Sequence, residues 1–334
     1  RWEFLNAYSG CMIGNPAVSV MTDAYMKGIR NFDLNKGYQL AVNSVEQFGN
    51  GEKGYAYEKV GISTTLEYAY FEWCVSELAR VQGKTADQQK YFNRSKSYKN
   101  IWDPEHSWFR PKTADGSWEP WPSEGRLKQW YGSMEANPYQ QGWFVPQDID
   151  GMIELMGGKK KTLSDLTAFF DLVPESMMWN DYYNHANEPV HHVPFLFNRL
   201  GAPWLTQKWT RAICKKAYRN SVIGLVGNED VGQMSAWYVL AASGFHPITP
   251  GSTRYELTSP VFSKIAIQLD PAYYKGKQFT ITAVNNSPEN IYIQSATLNG
   301  QTYDKSYIDH KDIVAGGKLE LQMGSQPNKN WGIN

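Results

Sequence analysis

The 334-residue sequence has only three cysteines, Cys11, Cys74 and Cys214, and they form neither a CxxC pair nor a Cys/His metal spacing. A cysteine-based metal centre is therefore excluded. No apolar run approaches the ~20 residues that span a bilayer. Neither sign of charge is in excess, with 33 Lys+Arg against 33 Asp+Glu, so no net field favours nucleic acid or an anionic membrane. There is no GxSxG, no P-loop and no GxGxxG on a strand–helix unit, which leaves acyl, phosphoryl and hydride transfer without support. Repeats and low-complexity runs are missing too, and Lys159-Lys160-Lys161 reads as a solvated patch after a double glycine. The chain opens at Arg1 without a signal-peptide h-region, so a processed or partial product is expected.

What is present is aromatic: 13 Trp, 21 Tyr and 14 Phe. Such rings bury large areas, and their faces also stack on sugars. In a charge-balanced chain this leans towards a neutral polar ligand such as carbohydrate. Most of the rings still belong to the core.

The first ~245 residues read as about nine helices joined by Gly/Pro-punctuated loops. Pro16 opens a helix closed by Gly28, and Ser63 or Thr64 is placed to cap the helix carrying Ile62, Leu66, Ala69, Trp73 and Leu78. Cys74 lies on that apolar face, where an inert buried thiol is expected. Further helical patterns run at 36–48, 86–101, 147–157, 162–171, 190–200, 205–219 and 231–243. From about Pro250 the period becomes two. RYELTSP, KIAIQL, QFTITAV, NIYIQSATLNG, SYIDH and KLELQM are short strands between turn signals, expected to pack sheet on sheet. The expected organisation is a mainly α region at 1–248, with helices paired in a toroid, followed by a β-rich region at 249–334.

Three segments concentrate polar groups beside aromatics and Gly/Pro. In MEANPYQQGWFVPQDIDGMIELMGG, Glu135 stands between Tyr131 and Tyr139. Partial desolvation there would raise its pKa, as a general acid needs. Asp148 and Asp150 are read as helix caps. In NDYYNHANEPVHHVPFLF, the oxygen donors of Asn184, Asn187 and Glu188 suit a hard cation such as calcium, whereas the spacing of His185 and His191 is not HExxH and argues against zinc. His191 or His192 is placed to bond a sugar hydroxyl. In VGNEDVGQMSAWYVLAASGF, Asn228, Glu229, Asp230 and Gln233 exceed what capping one helix requires, and a carboxylate at a helix N-terminus stays ionised. One acid-tuned and one base-tuned carboxylate from separate loops are what glycoside hydrolysis uses, and Glu135 and Asp230 are the candidates.

At these loops the sequence resembles glycoside hydrolase family 92, the calcium-dependent inverting exo-α-mannosidases. The resemblance runs through CMIGNPAVSVMTDAYMKGI (11–29), STTLEYAYFEWCVSELA (63–79), FVPQDIDGMIELMGG (144–158), NEPVHHVPFLFN (187–198) and GNEDVGQMSAWYVLAASGFHP (227–247). It implies an (α/α)6 toroid, Glu135 as general acid in a segment similar to EGNAWQ, and Asp230 as general base in a segment similar to GDEDNGQ or GNDDCGQ. By the same resemblance, Gln140, His191, His192, Asn228 and Gln233 face the sugar, and Asn187 and Glu188 contribute to the Ca2+ site. Ala136, Pro138 and Tyr139 depart from EGNAWQ, and Asn228 replaces the first acidic position of the GDEDNGQ form. The resemblance further implies mannose-containing glycans as substrates and a periplasmic or extracellular location. By the same resemblance, the family's N-terminal β-sandwich and first helices are expected to lie outside this chain, so an N-terminal half is an expected partner. Other readings are a mannoside-binding protein without turnover and another carbohydrate-active toroid such as a polysaccharide lyase. The lyase would want a cationic cleft, and these loops hold little Lys or Arg.

Overall fold

The computed structural model describes residues 3–4, 7–8 and 12–333, so Arg1 and Cys11 lie outside the described residues. Two compact units, Arg1–Gly158 and Lys159–Asn334, make up the chain. It is helix-rich, with a β-rich C-terminal region.

The first unit contains the short pairs β1 (Glu3–Phe4) with β2 (Ala7–Tyr8) and β3 (Trp102–Asp103) with β4 (Trp108–Phe109). Its helices are α1 (Pro16–Met26), α2 (Leu34–Phe48), α3 (Gly61–Val81), α4 (Thr85–Arg94), the single-turn α5 (Pro138–Gln141) and α6 (Ile149–Leu155). Helix α3 is its axis. Residues 61–72 are buried with one exception, Glu67, and Tyr68, Phe71, Cys74, Val75 and Leu78 pack against Val18, Tyr38, Ala41 and Val45 of α1 and α2. Cys74 is fully buried and desolvation pushes its thiol pKa up, in keeping with an inert thiol.

Two helix limits differ from the sequence pattern for local reasons. Neither Ser63 nor Thr64 caps α3. The helix begins at Gly61, and the Gly132 carbonyl accepts from the N–H groups of Ile62 (2.8 Å) and Ser63 (3.1 Å). A loop carbonyl thus does the work of a side-chain cap. The helix expected over 86–101 stops at Arg94, where the Ser95 hydroxyl turns back onto the Phe92 carbonyl, and a 3-10 turn follows over Ser97–Ile101. Asp148 does cap α6, accepting from the Gly151 N–H.

The second unit contains α7 (Lys159–Asp171), α8 (Leu196–Arg199), α9 (Pro203–Lys216), α10 (Gln233–Ser243) and α11 (His310–Val314). The expected 190–200 helix is broken into two 3-10 turns, Glu188–Val190 and Val193–Phe195, followed by α8. Pro189 and Pro194 each remove a backbone donor and impose φ, so a continuous α-helix cannot form there. Gly244 ends α10 in left-handed backbone, where a β-carbon would also meet the Pro260 ring.

All six expected strands form. Strands β5 (Phe245–His246), β6 (Arg254–Leu257) and β11 (Tyr307–Asp309) make one antiparallel sheet, ordered β11-β6-β5. Strands β7 (Lys264–Gln268), β8 (Gln278–Val284), β9 (Tyr292–Leu298), β10 (Gln301–Thr302) and β12 (Gly317–Gly324) make the other, ordered β10-β9-β12-β8-β7, with only the β12–β8 pair parallel. Alternate residues Phe279, Ile281, Ala283, Leu319, Leu321 and Met323 face inward and share a core with Phe245, Tyr255, Leu257 and Ile308 of the smaller sheet. The Asn198 amide of α8 donates to the Leu257 and Ser306 carbonyls (3.1 and 2.8 Å) and to the Glu256 carboxylate (3.2 Å). That buried amide ties the 187–199 segment to the sheet.

Candidate active site

In the first unit Glu135 sits on a loop whose backbone is fixed from several sides. Trp130, Gly132 and Glu135 all have positive φ, at 64°, 64° and 51°. For tryptophan and glutamate this conformation costs energy that surrounding contacts must offset. Those contacts are identifiable. The Trp130 N–H donates to the Ala136 carbonyl, the Met134 N–H donates to Ser63 Oγ (2.9 Å), and Gly132 holds the first turn of α3. On the far side, Asn137 and Gln140 form a reciprocal capping box on α5, and Trp108 donates its indole N–H to the Pro138 carbonyl.

The aromatic neighbours do not bury Glu135. Tyr131 turns its hydroxyl onto the Pro120 carbonyl and sets its ring edge-on to Trp121, while Tyr139 packs into the core against Trp108 and Trp143. Glu135 itself is exposed. Gln140 is buried, and its side-chain oxygen accepts from the Asn137 N–H.

In the second unit the structure brings two of the three sequence segments together. Tyr218 donates to the Met234 carbonyl (2.9 Å) and so accepts from His185 Nε2 (2.7 Å), while His185 Nδ1 accepts from the Tyr183 hydroxyl (2.7 Å). His191 Nε2 donates to the His185 carbonyl (3.0 Å), leaving Nδ1 to accept from the Gln233 amide (3.1 Å). Trp237 stacks on Tyr218, lies edge-on to His185 and donates its indole N–H to the His191 carbonyl. Both nitrogens of His191 are engaged, so this ring orients Gln233. His192 and Asn187 are buried, Glu188 is half-buried, and Asn228 is exposed.

Burial pushes the His191 pKa down to about 4, although the nearby Asp230 charge pulls the other way. The neutral imidazole therefore belongs to the folded state. Between pH 6.5 and about 4 the unfolded chain binds the extra proton, so stability is full above the ordinary histidine value and falls as pH drops through this window. His191 alone should contribute a loss of roughly 3 kcal/mol across it. Urea unfolding midpoints measured from pH 7.5 to 4 should decline accordingly, and the decline should be shallower in His191→Gln.

The Asp230 loop divides its labour. Glu229 accepts from the backbone N–H and the hydroxyl of Ser235, both at 3.0 Å, and so performs the helix-capping task. Asp230, Val231 and Gly232 follow in left-handed backbone at 47°, 57° and 98°. This starts α10 at Gln233 and leaves Asp230, half-buried, without a capping duty. Nothing in the sequence distinguished Glu229 from Asp230 as the cap.

The chemistry of the donor set is compatible with a hard cation at Asn187 and Glu188. Both offer oxygen, and Asn187 occupies the N-cap position of the Glu188–Val190 turn without using its side chain to cap it. A second cluster among the described residues, Asp103, Glu105 and His106, has metal-like proximity. Asp103 there is already paired with Arg110 (2.9 Å) and His106 (2.7 Å), as expected of a structural network.

A sequence profile of the glycosyl hydrolase family 92 catalytic domain matches residues 1–325. The chain belongs to that family. A family 92 α-mannosidase from Bacteroides thetaiotaomicron, represented by two structures of which one is a complex with mannoimidazole, superposes with a TM-score of 0.91 at 34% and 33% identity, over all of this chain and 45% and 46% of those chains. A family 92 inverting mannosidase from the same bacterium gives a TM-score of 0.89 at 31% identity, over 99% of this chain and 49% of that one. An uncharacterized secreted glycosidase of Arthroderma benhamiae is 29% identical over 96% of this chain and 46% of its own length. The chain thus spans about half the length of these relatives.

Proposed function

We propose that this chain carries the catalytic carboxylates of an exo-acting α-mannosidase that hydrolyses terminal α-mannosides with inversion, Glu135 being the general acid and Asp230 the general base. Family membership supports the reaction class. The observation that carries the residue choice is that each carboxylate sits in left-handed backbone while neighbouring groups absorb the local structural work: Glu229 binds Ser235, and Asn137 with Gln140 caps α5. Strained backbone held in place by its surroundings is characteristic of functional positions.

In this reading Glu135 gives its proton to the glycosidic oxygen as the anomeric bond breaks. Asp230 removes a proton from the water that attacks the opposite face of the sugar. Gln233, held by His191, and Gln140, His192 and Asn228 are assigned to the sugar. Calcium, held by Asn187 and Glu188 among its oxygen donors, would polarise and orient sugar hydroxyls when bound. An (α/α)6 arrangement of the helices, an N-terminal half that completes the site, and export to the periplasm or beyond the cell belong to the same reading. No helix among the described residues is long and apolar enough to cross a membrane.

The test is an NMR time course of methyl α-mannoside with the natural full-length protein. The first sugar released should be β-mannose. EDTA should abolish release and excess calcium should restore it. An α-configured first product would remove inversion from the proposal, and activity indifferent to EDTA would remove the metal.

A further inference from the structure

Glu67 is the one residue of α3 between Gly61 and Glu72 that keeps partial access to solvent. Its neighbour Glu72 is fully buried and pairs with Arg94 at 2.6 Å. Glu67 has no such arrangement: among the described residues no hydrogen bond or cation reaches its carboxylate. Desolvation alone pushes its pKa up to about 8. A half-buried carboxyl group without a partner costs stability, so its presence there calls for a reason outside the fold.

The surroundings supply a location. Helices α1 and α3 run in the same direction, since Thr22 reaches the Cys74 carbonyl and Gly14 lies against Glu67. Gly14 has φ +76°, and a β-carbon there would stand 2.5 Å from Glu67 Oε2, so only glycine leaves room for the carboxyl group. Ser63, one turn earlier on the same face of α3, holds the Met134 N–H, and the Gly132 carbonyl binds that same first turn. Helical side chains lean towards the N-terminus, which aims Glu67 at the end of α3 where the Glu135 loop is fastened.

We propose that Glu67 is a specificity-determining residue of the same site, its carboxyl group bonding one hydroxyl of the mannosyl unit on which Glu135 acts. The group is suited to both halves of such a contact: protonated it donates, and in either form it accepts. The inference rests on the α-mannosidase reading above.

The test compares the natural full-length protein with Glu67→Gln and Glu67→Leu in two measurements. One is the urea unfolding midpoint. The other is kcat/KM on methyl α-mannoside and on its 2-, 3-, 4- and 6-deoxy analogues. Midpoints should hold or rise in both variants. Wild type should lose about 10- to 100-fold on one deoxy analogue, and Glu67→Leu should show that loss on the parent mannoside with no further penalty for the missing hydroxyl. A midpoint that falls in both variants would make the carboxyl group structural. Wild-type kcat/KM in Glu67→Leu, or an undiminished deoxy penalty, would assign the contact elsewhere; calcium affinity lowered by Glu67→Gln would make it a cation ligand. Each of these defeats the Glu67 inference while leaving the enzyme reading intact. A wild type inert towards every α-mannoside defeats the enzyme reading itself, and this inference with it.

Discussion

Asp230→Asn is expected to lower kcat by about 10²–10⁴-fold on every α-mannoside, whatever the leaving group. Glu135→Gln should do the same to alkyl mannosides and mannobioses, yet leave an aryl mannoside with an acidic phenol nearly unaffected, because that leaving group departs without protonation. The contrast separates acid from base better than either loss alone. Steady-state kinetics on a series of aryl mannosides would measure it as a steep leaving-group dependence appearing only in Glu135→Gln. A leaving-group dependence in Asp230→Asn instead would reverse the assignment. Because both residues hold positive φ, neither amide variant adds backbone strain, and unfolding midpoints should stay close to wild type.

Trp237→Ala should have the largest structural effect. The ring is fully buried, stacks on Tyr218, tilts against Phe195 and donates to the His191 carbonyl. Its loss opens a cavity and leaves that carbonyl without its indole donor, at a cost of about 3–5 kcal/mol. Since Trp237 links α10 to the 185–192 segment, the damage should extend to mannoside turnover. Urea unfolding together with kinetics at low temperature, where the variant is folded, would separate the two effects. Trp237→Phe should recover most of the stability but less of the activity, as it fills space without restoring the hydrogen bond.

Several boundaries were written in local chemistry. Pro16 starts α1, Asp148 caps α6, Gly244 ends α10, and strands β7, β8 and β12 follow their alternation, because caps, turns and period two depend on neighbours in the chain. The helix expected from residue 190 is interrupted for a local reason too, since Pro189 and Pro194 break it into 3-10 turns. The start of α3 failed for a different reason. Its cap is the Gly132 carbonyl, some seventy positions away, and no window of sequence contains both.

The sequence by itself determined the family and the change from helices to period-two strands near residue 250, since each is carried by residue type at near spacing. Only the tertiary structure decided which of Glu229 and Asp230 caps α10, where the Tyr131 and Tyr139 rings pack, that His191 spends both nitrogens inside the protein, and that Glu67 meets no hydrogen-bond partner among the described residues. Those outcomes depend on which atoms compete for the same hydrogen bond or the same space, and that competition exists only once distant segments have been packed together.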